Sequence, residues 1–351
     1  MKRLQSLDVL RGLIMVLMAI DHVRVYSGIP PGGPEPAIFF TRWITHFCAP
    51  GFAFFAGTAA FLYGMKLENP SALARYLFTR GFMLVILEIT LIRFFWTFDL
   101  SLSGFMLAGV IWMLGWCMVL LGTMVRMNAK VIGFIGLGII LLQQLFGHVS
   151  TSAYWQFIYP FQGDAPSWIV ILYVIVPWIG VMMAGYGFGQ IIISEKRDRW
   201  CYIIGLTSIV LFVVIGSMTA EGQLPFILNL LNQRKYPASQ LYLMMTLGPL
   251  IALTPWAEKA KGAAVNFLSV FGKVPFFYYI AHIPLIHISA LVVNYFLFGE
   301  THQEWYKTAP FVQVPYESMW GLRWMYLVFA IDVAILYWIC KWYSKHKLKY
   351  L

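Results

Sequence analysis

LQSLDVLRGLIMVLMAIDHVRVYSG, residues 4–28, holds an apolar run over 9–27 that is long enough to cross a bilayer, with charged and titratable side chains set into and beside it. The start, Met-Lys-Arg and then apolar residues, has the outline of a signal peptide. Asp8 and Arg11 interrupt it, no small-residue cleavage site follows, and the apolar character continues to Tyr26. The stretch therefore reads as an uncleaved first span. At about 100° per residue, the eleven steps from Arg11 to His22 bring both side chains within roughly 20° of one helical face. Asp8, Met15 and Met18 fall close to the same line. One face thus runs from an inner Asp/Arg pair to a histidine near the outer end.

The rest of the chain agrees with a membrane reading. Of 351 residues, 60% are hydrophobic and only 11% charged, with mean hydropathy +0.73. Soluble domains carry roughly 25% charged residues, and the same composition excludes disordered, collagen-like and disulfide-stapled chains. A hydrocarbon core of about 30 Å asks for roughly 20 apolar residues per helix. Ten segments qualify: 9–27, 38–62, 78–98, 105–125, 130–147, 167–193, 201–218, 240–256, 274–297 and 321–340, with a short extra helix at 263–272. The expected fold is an all-α polytopic membrane protein, a single transmembrane domain over 1–351.

Net charge +10 would suggest nucleic acid in a soluble protein. Here the charge is topological. With the N-terminus inside, 18 of the 25 basic residues lie in the cytoplasmic half, including Lys2, Arg11 and the cluster from Lys341 to Lys349. Cytoplasmic loops carry this excess by rule, so both termini are assigned to the cytoplasm and no nucleic acid is needed. Cys48, Cys117, Cys201 and Cys340 lie far apart with no metal or redox spacing, so no disulfide framework or zinc site is expected.

Function is sought where polar groups sit at a cost, since a charge at mid-bilayer costs about 2.5–3.5 kcal/mol on insertion scales. From the rise of about 1.5 Å per residue, His22 lies roughly 8 Å below the outer end of its span and His46 roughly 12 Å into the next. Adjacent antiparallel helices pack side by side, so the two histidines are able to meet. His282 comes out near mid-depth with Tyr278 one turn below. His287 lies further out, beyond Pro284. Glu88 with Arg93 reads as a structural pair, Asp21 with Arg24 as an interfacial one. Any single histidine also has the plain reading of a packing residue bonded to a neighbouring helix. As chemistry, a histidine takes a proton from a hydroxyl or amine attacking a carbonyl. Asp21 is placed to orient the ring, and Arg11, Arg24 or Arg42 to hold an anionic group. No metal is expected, because no H-E-x-x-H spacing is present, and no nucleotide glycine motif is found.

Residues 4–28 resemble the opening of the heparan-alpha-glucosaminide N-acetyltransferase catalytic-domain family, related to the acyltransferase type 3 superfamily. That superfamily's first span also carries Arg-Gly with a histidine eleven residues after the arginine, here Arg11, Gly12 and His22. FFTRWITHFCAPGFAFFAGTAAF at 39–61, LNQRKYPASQLYLMMTLGP at 231–249 and FGKVPFFYYIAHIPLIH at 271–287 resemble its bacterial branch. The resemblance implies about ten spans around a pore that admits an acyl-CoA from the cytoplasm and passes the acyl group to an acceptor outside, often a sugar. By position, His22 is then the base or the acyl carrier and Arg11 lines the pore. His282, His287 and Tyr278 are candidates for the acceptor side. Arg75, Arg80, Arg126 and Lys273 are candidates for the CoA phosphates. The human lysosomal member has its catalytic histidine between its first two spans, where 28–37 here holds none, and an asparagine where this chain has His22. The base role is thereby left to His22 or His46.

Two functions stand at this point. One is an acyltransferase of the bacterial cytoplasmic membrane, using acetyl-CoA or another acyl-CoA on a sugar or glycan, with the lipid bilayer and possible self-association in a homodimer as its surroundings. The other is a secondary transporter with a His/Asp proton relay through Asp21, Glu88 and Asp332. The topology makes a direct prediction. A cysteine at Asp164, introduced into a cysteine-free background, is labelled by a membrane-impermeant maleimide from outside intact cells; labelling only after inner-face access is opened refutes the assigned orientation.

Overall fold

The computed structural model describes residues 3–101, 105–160 and 164–347; Lys2 and Lys349, counted above among the inner basic residues, lie outside them. Among the described residues the chain is helical apart from one short parallel pairing. The helices are α1 (Gln5–Tyr26), α2 (Pro36–Trp43), α3 (Cys48–Leu67), α4 (Pro70–Leu87), α5 (Arg93–Thr97), α6 (Val110–Met124) and α7 (Ala129–Leu141). There follow α8 (Trp178–Ile192), α9 (Arg197–Thr219), α10 (Phe226–Leu231), α11 (Gln240–Lys259), α12 (Ala263–Lys273), α13 (Pro275–Phe298) and α14 (Leu322–Lys347). Among the described residues, four helical runs are long and apolar enough to cross a membrane: Pro36–Leu67, Arg197–Thr219, Pro275–Phe298 and Leu322–His346. Helices α6, α7 and α8 are apolar but shorter.

Local chemistry explains where helices begin and break. Asn69 caps α4 by accepting from the Ser71 and Ala72 amides at 2.9 and 3.3 Å, and Pro70 supplies the preset φ of the first turn. The apolar run at 167–193 is not one helix. Pro177 disfavours helical backbone at Val176, so α8 starts at Trp178, and Val170–Ile171 pairs instead with Leu107–Ala108. The run at 78–98 is broken by a π-helical turn, Glu88–Ile92.

The chain forms two compact units. The first comprises the described residues of Ala49–Thr90 and Phe105–Pro255. Its helices meet through glycines. The α-carbons of Gly133 and Gly187 bring α7 and α8 together, and Gly81 and Gly115 do the same for α4 and α6. Glu88 is buried here and accepts from the Ile111 and Trp112 amides at 3.1 and 3.3 Å. Those are unpaired donors of the first turn of α6, where a carboxylate is favoured. Glu88 thus caps α6, and Arg93 in the other unit donates to the Asp99 and Ser101 carbonyls.

The second unit comprises Leu4–Cys48, Leu91–Gly104 and Trp256–Leu351. Helix α1 packs against α12, α13 and α14. A Cβ on Gly12 would stand 1.9 Å from the Leu268 carbonyl oxygen, and one on Gly272 would stand 1.8 Å from that of Asp8. The backbones of α1 and α12 therefore approach as only glycine permits. Glu258 accepts from the Ser6 amide at 2.8 Å and caps α1, while the Gln5 side chain donates to Ala257 and Ala260 at the end of α11. Gly12→Ala must push backbone against backbone, so the full chain in detergent is expected to lose about 1–3 kcal/mol or more. Thermal unfolding measures it, with Gly138→Ala, which meets nothing within 4 Å, as the control that leaves the midpoint unchanged or raised.

Candidate functional site

The site lies within the second unit, between α1 and α13. On α13, Tyr278 and His282 are four residues apart and share one face. The Tyr278 hydroxyl donates to the Met15 carbonyl at 3.0 Å, which pins this face to α1. The His282 ring stacks on Tyr278 with centroids 5.3 Å apart, and it is fully buried. Its Nδ1 lies 2.7 Å from the Tyr279 carbonyl oxygen and 3.1 Å from that of Tyr278. Its Nε2 lies 2.7 Å from Nδ1 of His22 on α1, and the two rings are inclined by 20°. His22 is partly exposed and has the edge of Trp96 against it at 4.7 Å. Two histidines distant in sequence thus form one hydrogen-bonded pair, one ring enclosed and the other partly exposed.

A second polar group roofs the pair. His287 has Nδ1 3.1 Å from the Phe95 carbonyl and Nε2 2.9 Å from Oε1 of Gln303. The Gln303 amide is oriented by donating to the Thr97 carbonyl at 2.8 Å. The His287 ring lies on Phe98 at 3.8 Å. Next to it the Tyr26 hydroxyl donates to the Trp96 carbonyl at 2.6 Å, and the Tyr306 hydroxyl donates to that of Tyr26 at 3.1 Å. Asn294 closes the network. Its Nδ2 donates to Tyr306 and to the Thr301 carbonyl, and its Oδ1 accepts from the Trp320 indole at 3.1 Å. Tyr26, His287, Asn294, Tyr306 and Trp320 are buried and bonded, the condition under which a polar network rigidifies its surroundings. It ties the 299–320 connection to the end of α1 and to the residues that carry Trp96.

The other candidates are dispersed. Asp21, adjacent to His22 in sequence, accepts from Nε and Nη2 of Arg24, both at 3.0 Å. The remaining guanidinium nitrogen of Arg24 donates to the Ile29 carbonyl at 2.6 Å and holds the turn after α1. Arg42 donates to the Pro31 carbonyl at 2.7 Å. His46 is buried in the 3-10 turn Ile44–Phe47 that joins α2 to α3. Arg11 shares the α1 face with His22, but eleven residues of helix separate them by about 16 Å along the axis. Arg75 and Arg80 are exposed on α4, Arg80 over the Tyr76 ring, and exposed Arg126 donates to Ser71 at 3.2 Å. Lys273 is exposed at the end of α12.

Trp96, Tyr26, Gln303, Asn294 and Tyr306 were not singled out from the sequence. Asn294 carried a usable signal, a polar amide inside an apolar span. Gln303 and Tyr306 sit in a connection, where such residues are ordinary.

Residues 3–221 match the family model described as heparan-alpha-glucosaminide N-acetyltransferase, catalytic. The search of curated proteins returned no match.

The roof has a pH signature. Burial pushes the Tyr306 phenol from 10.0 up to about 12, against the Asn294 hydrogen bond, which lowers it. The folded chain then keeps a proton that the unfolded chain has given up. The contribution of this group is complete below pH 10 and disappears as pH rises through 12. Tyr306→Phe removes the hydroxyl and leaves Asn294 short of an acceptor, so a loss of about 1–3 kcal/mol is expected near neutral pH. Thermal unfolding between pH 7 and 11 checks both, since the variant lacks the part of the alkaline decline that this phenol causes.

Proposed function

This chain belongs to the heparan-alpha-glucosaminide N-acetyltransferase catalytic family, a family of membrane acetyltransferases, and we propose that it passes an acetyl or similar acyl group from cytoplasmic acyl-CoA to a sugar or glycan acceptor on the outer face. The observation that carries this reading is the His22–His282 pair at 2.7 Å, a base with a built-in partner. In the proposed reaction His22 takes the proton from the acceptor hydroxyl or amine as its oxygen or nitrogen attacks the thioester carbonyl. The new acyl bond forms, the carbon–sulfur bond breaks, and the proton passes from His22 to the departing CoA thiolate. The opening edge of His22 near Trp96 is where the reacting groups meet in this scheme.

The reading places the chain in the bacterial cytoplasmic membrane, as one acyltransferase-like domain over 1–351 with about ten spans and both termini inside. The inner-half residues Arg75, Arg80, Arg126 and Lys273 are then available to the CoA phosphates. Its support against a proton-coupled carrier comes from the carboxylates. Glu88 is occupied by the first turn of α6, Asp332 accepts from Ser289 at 2.7 Å, and Asp21 is paired with Arg24.

Purified protein with radiolabelled acetyl-CoA tests the proposal. Slow hydrolysis, or transfer to added sugars, is expected, and His22→Ala is expected to lower it on the order of 10²–10⁴-fold, the range of a lost general base. Absence of acetyl-CoA and longer acyl-CoA binding at micromolar concentration refutes it.

A further inference from the structure

The hydrogen bonds around the histidine pair form a chain with a direction. A backbone carbonyl only accepts, so the Nδ1 of His282, 2.7 Å from the Tyr279 oxygen, carries the hydrogen. A neutral imidazole has one N–H, so His282 Nε2 is a bare acceptor. It faces His22 Nδ1 at 2.7 Å, and that bond exists only if His22 carries its hydrogen on Nδ1. Neutral His22 is then left with its lone pair on Nε2.

We propose that His282 is a positioning residue that locks His22 in the Nδ1–H tautomer and so presents Nε2 as the basic atom. The proposal rests on the acyltransferase reading for its catalytic meaning, but the tautomer itself does not. The backbone of α13 plays the part that a buried carboxylate plays in a serine-protease triad, where an acceptor fixes the tautomer of the working ring. The stack of His282 on Tyr278, and the anchoring of Tyr278 to Met15, keep the second ring from turning over. When Nε2 of His22 takes a proton, its Nδ1–H bond to His282 becomes charge-assisted and strengthens. The added proton is then shared across the two rings. A second added proton is excluded while the rings stay together, because two N–H groups would then face each other across 2.7 Å.

Nitrogen-15 spectra of ring-labelled histidine in the full chain, in detergent or nanodiscs, test this, because the two tautomers give distinct Nδ1 and Nε2 shifts. His22→Gln and His282→Gln difference spectra assign the two rings. Wild-type His22 is expected in the Nδ1–H form. His282→Gln keeps an acceptor oxygen for His22, so it should preserve the tautomer and recover activity. His282→Leu should release His22 to its Nε2–H form and lower kcat on the order of 10²–10⁴-fold with KM for acetyl-CoA unchanged. Wild-type His22 found as Nε2–H, or a His22 tautomer unaltered by His282→Leu, overturns the proposal. The expected spectra in a protein that consumes no acyl-CoA overturn the acyltransferase reading instead and leave the tautomer assignment standing.

Discussion

The close approach of α1 and α12 is the constraint on which the second unit depends. At Gly12 and Gly272 the two backbones lie nearer than any Cβ allows, with carbonyl oxygens of Leu268 and Asp8 occupying the space. Helix α12 runs straight into α13, with Pro275 in the first turn, so the seat of α1 on α12 also sets how α1 meets α13. His22 and His282, 260 residues apart, come to hydrogen-bonding distance as a consequence. A glycine next to an arginine in the first span is therefore a packing device that serves the histidine eleven residues later.

Burial then settles which polar groups remain for chemistry. In an apolar interior an unsatisfied polar group costs several kcal/mol, so donors and acceptors find partners. Glu88 finds the first turn of α6, and Arg24 finds Asp21 and the Ile29 carbonyl. Asn294 joins Tyr306, Thr301 and Trp320. These residues have the same rarity in the sequence as the histidine pair, and their work is holding elements together. The pair differs in that one ring is enclosed and fixed while its partner stays partly exposed. That asymmetry is what a base and its support require.

Much of this was legible in the residues. The apolar runs located most of the longer helices, although 167–193 is a long helix only from Trp178, and the polar residues inside them included His22, His282, Tyr278 and His287. Helical spacing placed Tyr278 beside His282, where its ring lies. Other features were not legible. The sequence set Asp21 both beside the His22 ring and one turn from Arg24, and the structure shows the Arg24 pairing at i,i+3. The helix that ends at Leu87 gives way to a π-turn at Glu88, whose carboxylate accepts from the first turn of α6, a long-range contact with no local signature.

By itself the sequence determined the helical, bilayer-compatible character of the chain, its family, and the short roll of polar residues among which a site had to be found. Composition and periodicity are local properties, and they suffice for that. Only the tertiary structure decided that His22 is bonded to His282, and that Tyr26, Trp96, Gln303, Asn294 and Tyr306 belong to the surroundings. The physical reason is that a hydrogen bond of 2.7 Å depends on the relative placement of two helices, and that placement was set by glycine contacts and backbone carbonyls that leave no pattern along the chain.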